Sequence, residues 1–501
     1  MTPRFDDQDG SRRPPRRPPF GGGGVGGGGG GRGGSGRGGG SYGGGGYGGP
    51  RGGARGDFRG GPRSEGYPDE GRSGGGHDLP GASLPVPPGL NRSLEAPREL
   101  PEVYLQTPTS HPLVYRKRIN RVLGNPRAGD LVVVYHSDNE LLGYGLYNPK
   151  SEMAVRMLQW NGEPPGELFW EERLAEAVSL RRDLLKLDEV TDAYRLVHAE
   201  SDGLSGLVID KLGDVLSAEV FSLAMWQRAE EIVRRLAVRC GISRWTIRAA
   251  PHTLAQEGFL GEPRASEGFP ERVTIQEFGT RFRVRFAGGH KTGFFCDQRD
   301  NRRQLASYCA DRSVLDLCCY SGGFAVQAKR LGKAAEVTAV DLDEAPLQLA
   351  RENANLNQVR VNFVQADAFA YMRDMLRLNR QYDVVVLDPP KLITNRAELE
   401  EGTQKHFDLN RLAMQLVKPG GVLLTCSCAG LLPEDEFFKM LCAAARQAGP
   451  LLEGQITPNG RPRHAARTLQ VLARTGAAAD HPVVAHCPET AYLKAFWLRL
   501  L

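Results

Sequence analysis

Residues 313–323, Ser-Val-Leu-Asp-Leu-Cys-Cys-Tyr-Ser-Gly-Gly, constrain the fold of this chain more than any other stretch. A short apolar run (Val314, Leu315, Leu317) carries one acidic residue, Asp316, and ends in a tight loop with paired glycines. Phe324-Ala-Val-Gln-Ala-Lys-Arg-Leu then has the composition of a helix. Strand, glycine loop and helix make the entry unit of a nucleotide-type α/β fold, because glycines let backbone N–H groups approach a ligand closely. The loop is not G-x-G-x-x-G, and nothing in it fits a P-loop. Its meaning depends on the segments that succeed it at fixed distances.

Those segments are strands that end in acidic residues. Glu336-Val-Thr-Ala-Val ends in Asp341, placed to accept hydrogen bonds from ribose hydroxyls. A helix is expected over 345–356. Val361-Asn-Phe-Val-Gln leads to Asp367, where a carboxylate would meet an adenine amino group. Tyr382-Asp-Val-Val-Val-Leu ends in Asp388-Pro389-Pro390, and Gly421-Val-Leu-Leu-Thr ends in Cys426-Ser427-Cys428. Five strands with crossover helices imply a parallel sheet with its functional loops at the carboxyl ends. Any single acidic strand end could be a helix cap; four in series are much harder to assign to chance.

The chain has 501 residues, enough for two to four domains, and its net charge of +5 does not by itself imply nucleic acid. No apolar run reaches the ~18 residues that span a bilayer, and the N-terminus has no apolar segment of a secretory signal. Nine scattered cysteines without C-x-x-C read as reduced thiols in a cytoplasmic protein. Residues 1–98 are expected to be a disordered Gly/Arg-rich tail and Pro-rich linker. Its Arg32, Arg37, Arg51, Arg55 and Arg59, with Tyr42, Tyr47 and Phe58, are RGG-like and suited to additional RNA contacts, or the tail is only a solubiliser. The β-rich runs 131–135, 141–147 and 153–158 suggest a small barrel over 103–162, with Arg116, Lys117, Arg118 and Arg121 at its start as a phosphate-facing rim or a solvated surface. An α+β unit is expected over 167–286 and the Rossmann-like unit over 287–501. His198, Glu200 and Asp202 share a strand face, but that spacing is equally an ordinary polar face, and no metal is expected.

His111-Pro-Leu-Val-Tyr, Gly129-Asp-Leu-Val and Tyr147-Asn-Pro-Lys-Ser resemble a PUA domain, which implies RNA binding. The strand-end series resembles the class I S-adenosyl-L-methionine-dependent methyltransferases. Lys291-Thr-Gly-Phe-Phe-Cys-Asp-Gln-Arg-Asp-Asn-Arg, Asp388-Pro-Pro-Lys and Pro488-Glu-Thr-Ala-Tyr-Leu-Lys narrow it to the RlmI-like large-subunit rRNA cytosine-5 methyltransferases. That resemblance covers about 103–501 and implies a PUA-like barrel, an α+β middle domain and a Rossmann-like methyltransferase domain. It implies S-adenosyl-L-methionine as cofactor and large-subunit rRNA as partner, with no membrane, and leaves a homodimer open. It suggests that Phe294, Asp297 and Gln298 line the methionine end with Asp316, Tyr320 and Gly322 of the 316–323 region, and that Lys291 contacts phosphate.

Cytosine C5 becomes nucleophilic only after a thiolate adds to C6. The resemblance matches Ser427-Cys428 to the family's Ser-Cys-Ser element, so Cys428 is the expected nucleophile and Cys426 is expected to point elsewhere. Some cytosine-5 enzymes carry a second cysteine after the proline of the fourth-strand motif; here Pro390 stands there. The C5 proton then falls to Asp388, which is also suited to hold the base's polar edge, or to Glu489, which resembles the base-supplying Glu-Thr element of uracil-5 methyltransferases. Lys391 departs from the small or apolar residue common after Asp-Pro-Pro. Guanine methylation, which needs no thiol, and a non-catalytic RNA-binding or ribosome-assembly factor are the alternatives. Cys318 and Cys319 read as loop-packing residues.

Overall fold

The computed structural model describes residues 91–136, 138–286, 292–457, 460 and 462–501. Of the tail and linker expected over 1–98, residues 1–90, with Arg32, Arg37, Arg51, Arg55, Arg59, Tyr42, Tyr47 and Phe58, lie outside the described residues, as does Lys291. Residues 91–98 are part of the fold instead: Leu94 is buried in the core and its carbonyl accepts from Trp170 Nε1 at 3.1 Å.

The first sheet has six strands, in the spatial order 113–114, 155–160, 141–147, 131–136, 102–105 and 119–123. Val132 and Val134 face Val103, Leu105, Val155 and Met157, while Leu131 and Val133 are buried on the opposite face with Tyr144, Leu146 and Leu158, so the strand is covered on both sides. The basic cluster lies on a single exposed turn, Arg116–Arg118, and Arg121 lays its guanidinium over the Tyr104 ring at 3.9 Å. The next sheet has five strands, from Ala193–His198 at one edge to Arg264–Ala265 at the other. Its helices include Leu223–Trp226 and Ala229–Cys240.

A hairpin, Arg272–Glu277 with Thr280–Arg285, joins this sheet to the C-terminal unit. Its Ile275, Phe282 and Val284 pack with Ala193, Leu212 and Val215 on one side and Val326 and Ala354 on the other. Inside the same junction, Glu277 and Arg302 form a buried ion pair at 2.5 Å. Such a pair must be hydrogen-bonded on both sides to offset its desolvation.

In the C-terminal unit we label the strands β1 (Ser313–Leu317), β2 (Glu336–Asp341), β3 (Asn362–Gln365), β4 (Tyr382–Leu387), β5 (Val417–Ser427), β6 (Leu469–Thr475) and β7 (Lys494–Leu500). The helices are α1 (Gly323–Arg330), α2 (Glu344–Leu356), α3 (Ala368–Arg377), α4 (Leu399–Leu416) and α5 (Glu434–Ala445). The sheet order is β3-β2-β1-β4-β5-β7-β6, with the first five strands parallel and β7 antiparallel between β5 and β6. Val384–Leu387 and Val422–Leu424 are buried, as strands covered by helices on both faces require. The order reverses between β1 and β4, so the carboxyl ends of those two strands open a crevice for a ligand. No helix of the described residues is long and apolar enough to cross a membrane.

Candidate active site

The loop after β1 is unusual in its backbone. Cys318 (φ +62°), Tyr320 (φ +48°) and Gly322 (φ +77°) are left-handed in alternation. Alternation of this kind turns neighbouring N–H groups into one concavity, an anion-binding nest. Gly322 is required twice over: by its φ, and because a Cβ there would lie 3.0 Å from the Ala350 Cβ of α2. The non-glycine residues are held in place by neighbours. Asp341 accepts from the Tyr320 N–H at 2.8 Å and from the Asp343 N–H at 3.1 Å. Asn353 donates to the Ser321 carbonyl at 3.0 Å.

Four carboxylates converge here. Asp316 is fully buried; its Oδ2 accepts from the Ala325 N–H at 2.9 Å, and its Oδ1 has no partner among the described residues. Burial pushes its carboxyl well above the usual range, against the pull of the Ala325 N–H. Asp388 follows β4 and is tied to β1 by its N–H on the Leu317 carbonyl, at 3.4 Å. Asp367 caps α3 through the Ala370 N–H at 2.9 Å. The Cys318 thiol is pushed up first by burial and then by the charges of Asp341, Asp388, Asp316 and Asp367.

The thiols of β5 require a correction. Cys426 does not point away from Cys428, because residues two apart in a strand share a face. Both face the apolar cluster that holds Trp497 and Leu493, and it is Ser427 that points the other way, with Oγ 3.3 Å from His406 Nε2. What separates the two thiols is depth. Cys426 is fully buried, while Cys428, one residue past the strand, is half-buried. Burial pushes the Cys426 thiol well up, and Asp388 adds to it.

Phe294 also departs from expectation. It does not line the loop; it packs in the junction core against Phe282, at 5.4 Å, and under the Arg302 guanidinium. Its neighbour Phe295 meets the Tyr320 ring edge-on at 5.1 Å. Asp297 is buried and accepts from the Tyr492 hydroxyl at 2.6 Å, and its backbone carbonyl accepts from the Ala478 N–H at 2.8 Å. Gln298 accepts from Asn301 at 2.7 Å. Asp297 therefore ties the segment before β1 to the C-terminal loop.

Glu489 sits in the one-turn helix Pro488–Thr490, largely exposed, with Oε2 3.0 Å from His111 Nε2 of the first β unit. Partial burial pushes its carboxyl up, but the His111 bond and its other partners hold it below the usual value. His111, Cys487 and Glu489 bring three metal-ligating atoms within 4.8 Å of one another. However, the Leu113 N–H donates to His111 Nδ1 at 3.1 Å, so Nδ1 carries the lone pair and Nε2 the proton. That tautomer makes a hydrogen bond to Glu489, not a metal ligand. The side chains of His198, Glu200 and Asp202 meet Arg195, Ser205 and Arg181 respectively, and Asp202 also accepts from the His198 backbone N–H at 2.5 Å.

Sequence reasoning missed Tyr492, Lys494, Arg299 and Asp480. Arg299, Tyr492 and Lys494 belong to the family-like strings, but their partners lie 181 residues away for Arg299, 195 for Tyr492 and 65 for Lys494. No spacing within a string points to partners so distant.

A family profile described as S-adenosylmethionine-dependent methyltransferase matches residues 200–453, and one described as PUA-like domain matches 109–160. The ribosomal RNA large subunit methyltransferase I of Aeromonas hydrophila is 37% identical over 400 residues, covering 78% of this chain and 95% of that protein. The protein of the same name from Pseudoalteromonas atlantica is 34% identical over 396 residues, with 78% and 95% covered. A solved structure from Streptococcus mutans, described as a putative SAM-dependent methyltransferase, shares the fold with a TM-score of 0.64 at 19% identity, over 79% of this chain and 99% of that one.

Proposed function

The chain belongs to the ribosomal RNA large subunit methyltransferase I family, and from that premise we propose that it methylates C5 of a cytosine in large-subunit rRNA through a covalent bond from Cys428 to C6. It is an S-adenosyl-L-methionine-dependent enzyme. The residues present fit that donor. The 318–322 nest suits the methionine carboxylate, Asp341 the ribose hydroxyls, and Asp367 the adenine amino group through an oxygen its helix cap leaves over. When bound, the sulfonium supplies an electrophilic methyl group.

One observation carries the cytosine-5 reading. Of the four thiols at the carboxyl ends of β1 and β5, Cys319 and Cys426 are buried and Cys318, though half-buried, is pushed up by desolvation and by the surrounding carboxylates; Cys428, also half-buried, is the one that stands past the end of β5 beside the β4 end that bears Asp388. In β4 and β5, Leu387 pairs with Thr425, which sets these ends side by side. The Cys428 thiolate bonds to C6, and the displaced ring electrons make C5 the nucleophile. C5 takes the methyl group and S-adenosylhomocysteine leaves. A carboxylate takes the C5 proton, the C6–S bond breaks, and the thiolate is restored. Asp388 holds the polar edge of the base; Asp388 and Glu489 are the candidates for the proton. The target must be unpaired or swung out of its stack.

The test is Cys428→Ala. It should abolish methyl transfer to rRNA, read by mass mapping of the nucleotide, while calorimetry still shows donor binding. Wild-type transfer by the variant would overturn the assignment.

A further inference from the structure

Helix α4 packs on β4 and β5 through an apolar layer that includes Leu409, Leu412, Leu387 and Leu423. Two polar pairs interrupt that layer. Thr425 donates from Oγ1 to Asn410 Oδ1 at 2.6 Å, and Ser427 Oγ lies 3.3 Å from His406 Nε2. All four side chains are buried. The partners are two apart on the strand and four apart on the helix, so the pairs stack as successive rungs between one strand face and one helix face. Asn410 Nδ2 donates to the His406 carbonyl at 2.8 Å, which turns its Oδ1 toward Thr425 and joins the rungs. Apolar contacts alone tolerate a small slip of a helix along a strand. A buried polar pair does not, because a slip strands both partners.

Both strand ends of the site bear on this helix. At the β5 end, Ser427 Oγ also accepts from the Ala429 N–H at 3.4 Å, and Lys494 Nζ donates to the Ala429 carbonyl at 2.5 Å. The residue after Cys428 is thus held by both of its backbone groups. At the β4 end, the loop after Asp388 presses on α4 at Gly402, where a Cβ would collide with the Leu392 carbonyl and the Ile393 side chain. We propose that Asn410 and His406 are positioning residues, whose rungs to Thr425 and Ser427 set the register of α4 on the sheet and thereby hold Cys428 at a fixed place relative to Asp388. The proposal rests on Cys428 being the nucleophile. Cys428 lies on the other face of the sheet, so the rungs act on it through the backbone of β5 and not by contact. Burial and then the Lys494 charge push His406 down to about 4, so its ring is neutral at pH 7 and serves as a hydrogen-bond partner. Misplacing reacting groups by about 1 Å can cost roughly a hundredfold in rate, so a register device acts on kcat.

The experiment compares the double variant Thr425→Val with Asn410→Leu, which removes both partners of one rung and strands neither, with Thr425→Ser, which keeps the hydroxyl. It uses the full chain, S-adenosyl-L-methionine and large-subunit rRNA. The double variant should unfold in urea at or above the wild-type midpoint, bind the donor in calorimetry as wild type does, and keep its KM for RNA. Its kcat should fall about tenfold or more. Thr425→Ser should keep the wild-type kcat. Ser427→Ala with His406→Leu removes the other rung and should show the same split, which carries the measurement if the first pair does not fold. A wild-type kcat in a folded double variant overturns the proposal. So does a fall in kcat that comes with equal losses of stability and donor affinity, or loss of the fold in both pairs, since either marks the rungs as structural only. The rung variants keep the thiol, so a Cys428→Ala enzyme that still transfers methyl would defeat the nucleophile assignment separately.

Discussion

Asp480 lies in the loop between β6 and β7 and is fully buried. Arg299 holds it bidentately at 2.8 and 3.0 Å, and the Arg195 N–H donates to the same carboxylate at 2.8 Å. Arg181 donates to its backbone carbonyl at 2.8 Å. Asp480→Asn would place an NH2 group against donors and leave Arg299 buried, with only the exposed Asp300 as a second carboxylate at 3.4 Å. Stranding one partner of a buried pair costs about 3–5 kcal/mol. Urea unfolding should show that loss. Replacing both partners, Asp480→Leu with Arg299→Met, should recover most of it; the remainder, about 1–3 kcal/mol, is the orphaned Arg195 N–H. Burial alone would raise the Asp480 carboxyl, but His481 and Arg299 hold it far below the usual range. A depressed folded pKa stabilises above the unfolded value of about 4 and is lost as pH falls through the folded one. The Asp480→Asn difference should therefore be full at pH 7 and shrink in acid below about pH 4. The loop also supplies Ala478 to the Asp297 carbonyl, so weaker donor binding should accompany the instability. A variant within about 1 kcal/mol of wild type, or a double variant as unstable as the single one, would refute the reasoning.

Gly322→Ala should weaken donor binding in calorimetry and destabilise by about 1–2 kcal/mol, because an L-residue must take φ +77° and its Cβ meets Ala350 at 3.0 Å. At about pH 8, below the ordinary thiol value, peptide mapping after brief iodoacetamide treatment should find Cys428 modified and Cys318, Cys319 and Cys426 intact, since burial and the surrounding carboxylates keep those three protonated. Modification of Cys318 ahead of Cys428 would contradict the placement of the four carboxylates around it.

Much of the sheet was legible because a parallel sheet imposes a local rule. Each strand is an apolar run, and each run must deliver its ligand-facing residue at its carboxyl end. Asp341, Asp367, Asp388 and Cys428 could thus be placed one strand at a time. The residues that escaped obey no local rule. Phe294 and Phe295 are adjacent aromatics, and only the junction with the 280–285 strand decides that the first is core and the second meets Tyr320. β6 and β7 begin 42 and 67 residues beyond the end of β5, at the antiparallel edge, where alternation is weak and no acidic strand end marks them. The Cys426 error was of another kind, since strand periodicity alone already places residues i and i+2 on one face. Lys494 shows the boundary most clearly. It stands five residues after Glu489 in the same string, yet Glu489 turns to His111 while Lys494 turns to the end of β5. That Lys494 reaches the Ala429 carbonyl is fixed by its pairing with Ser427, a contact between residues 67 apart. Strand ends can be read from the sequence because the parallel fold repeats them; the cation beside the end of β5 cannot, because an antiparallel register is set by the packed sheet as a whole.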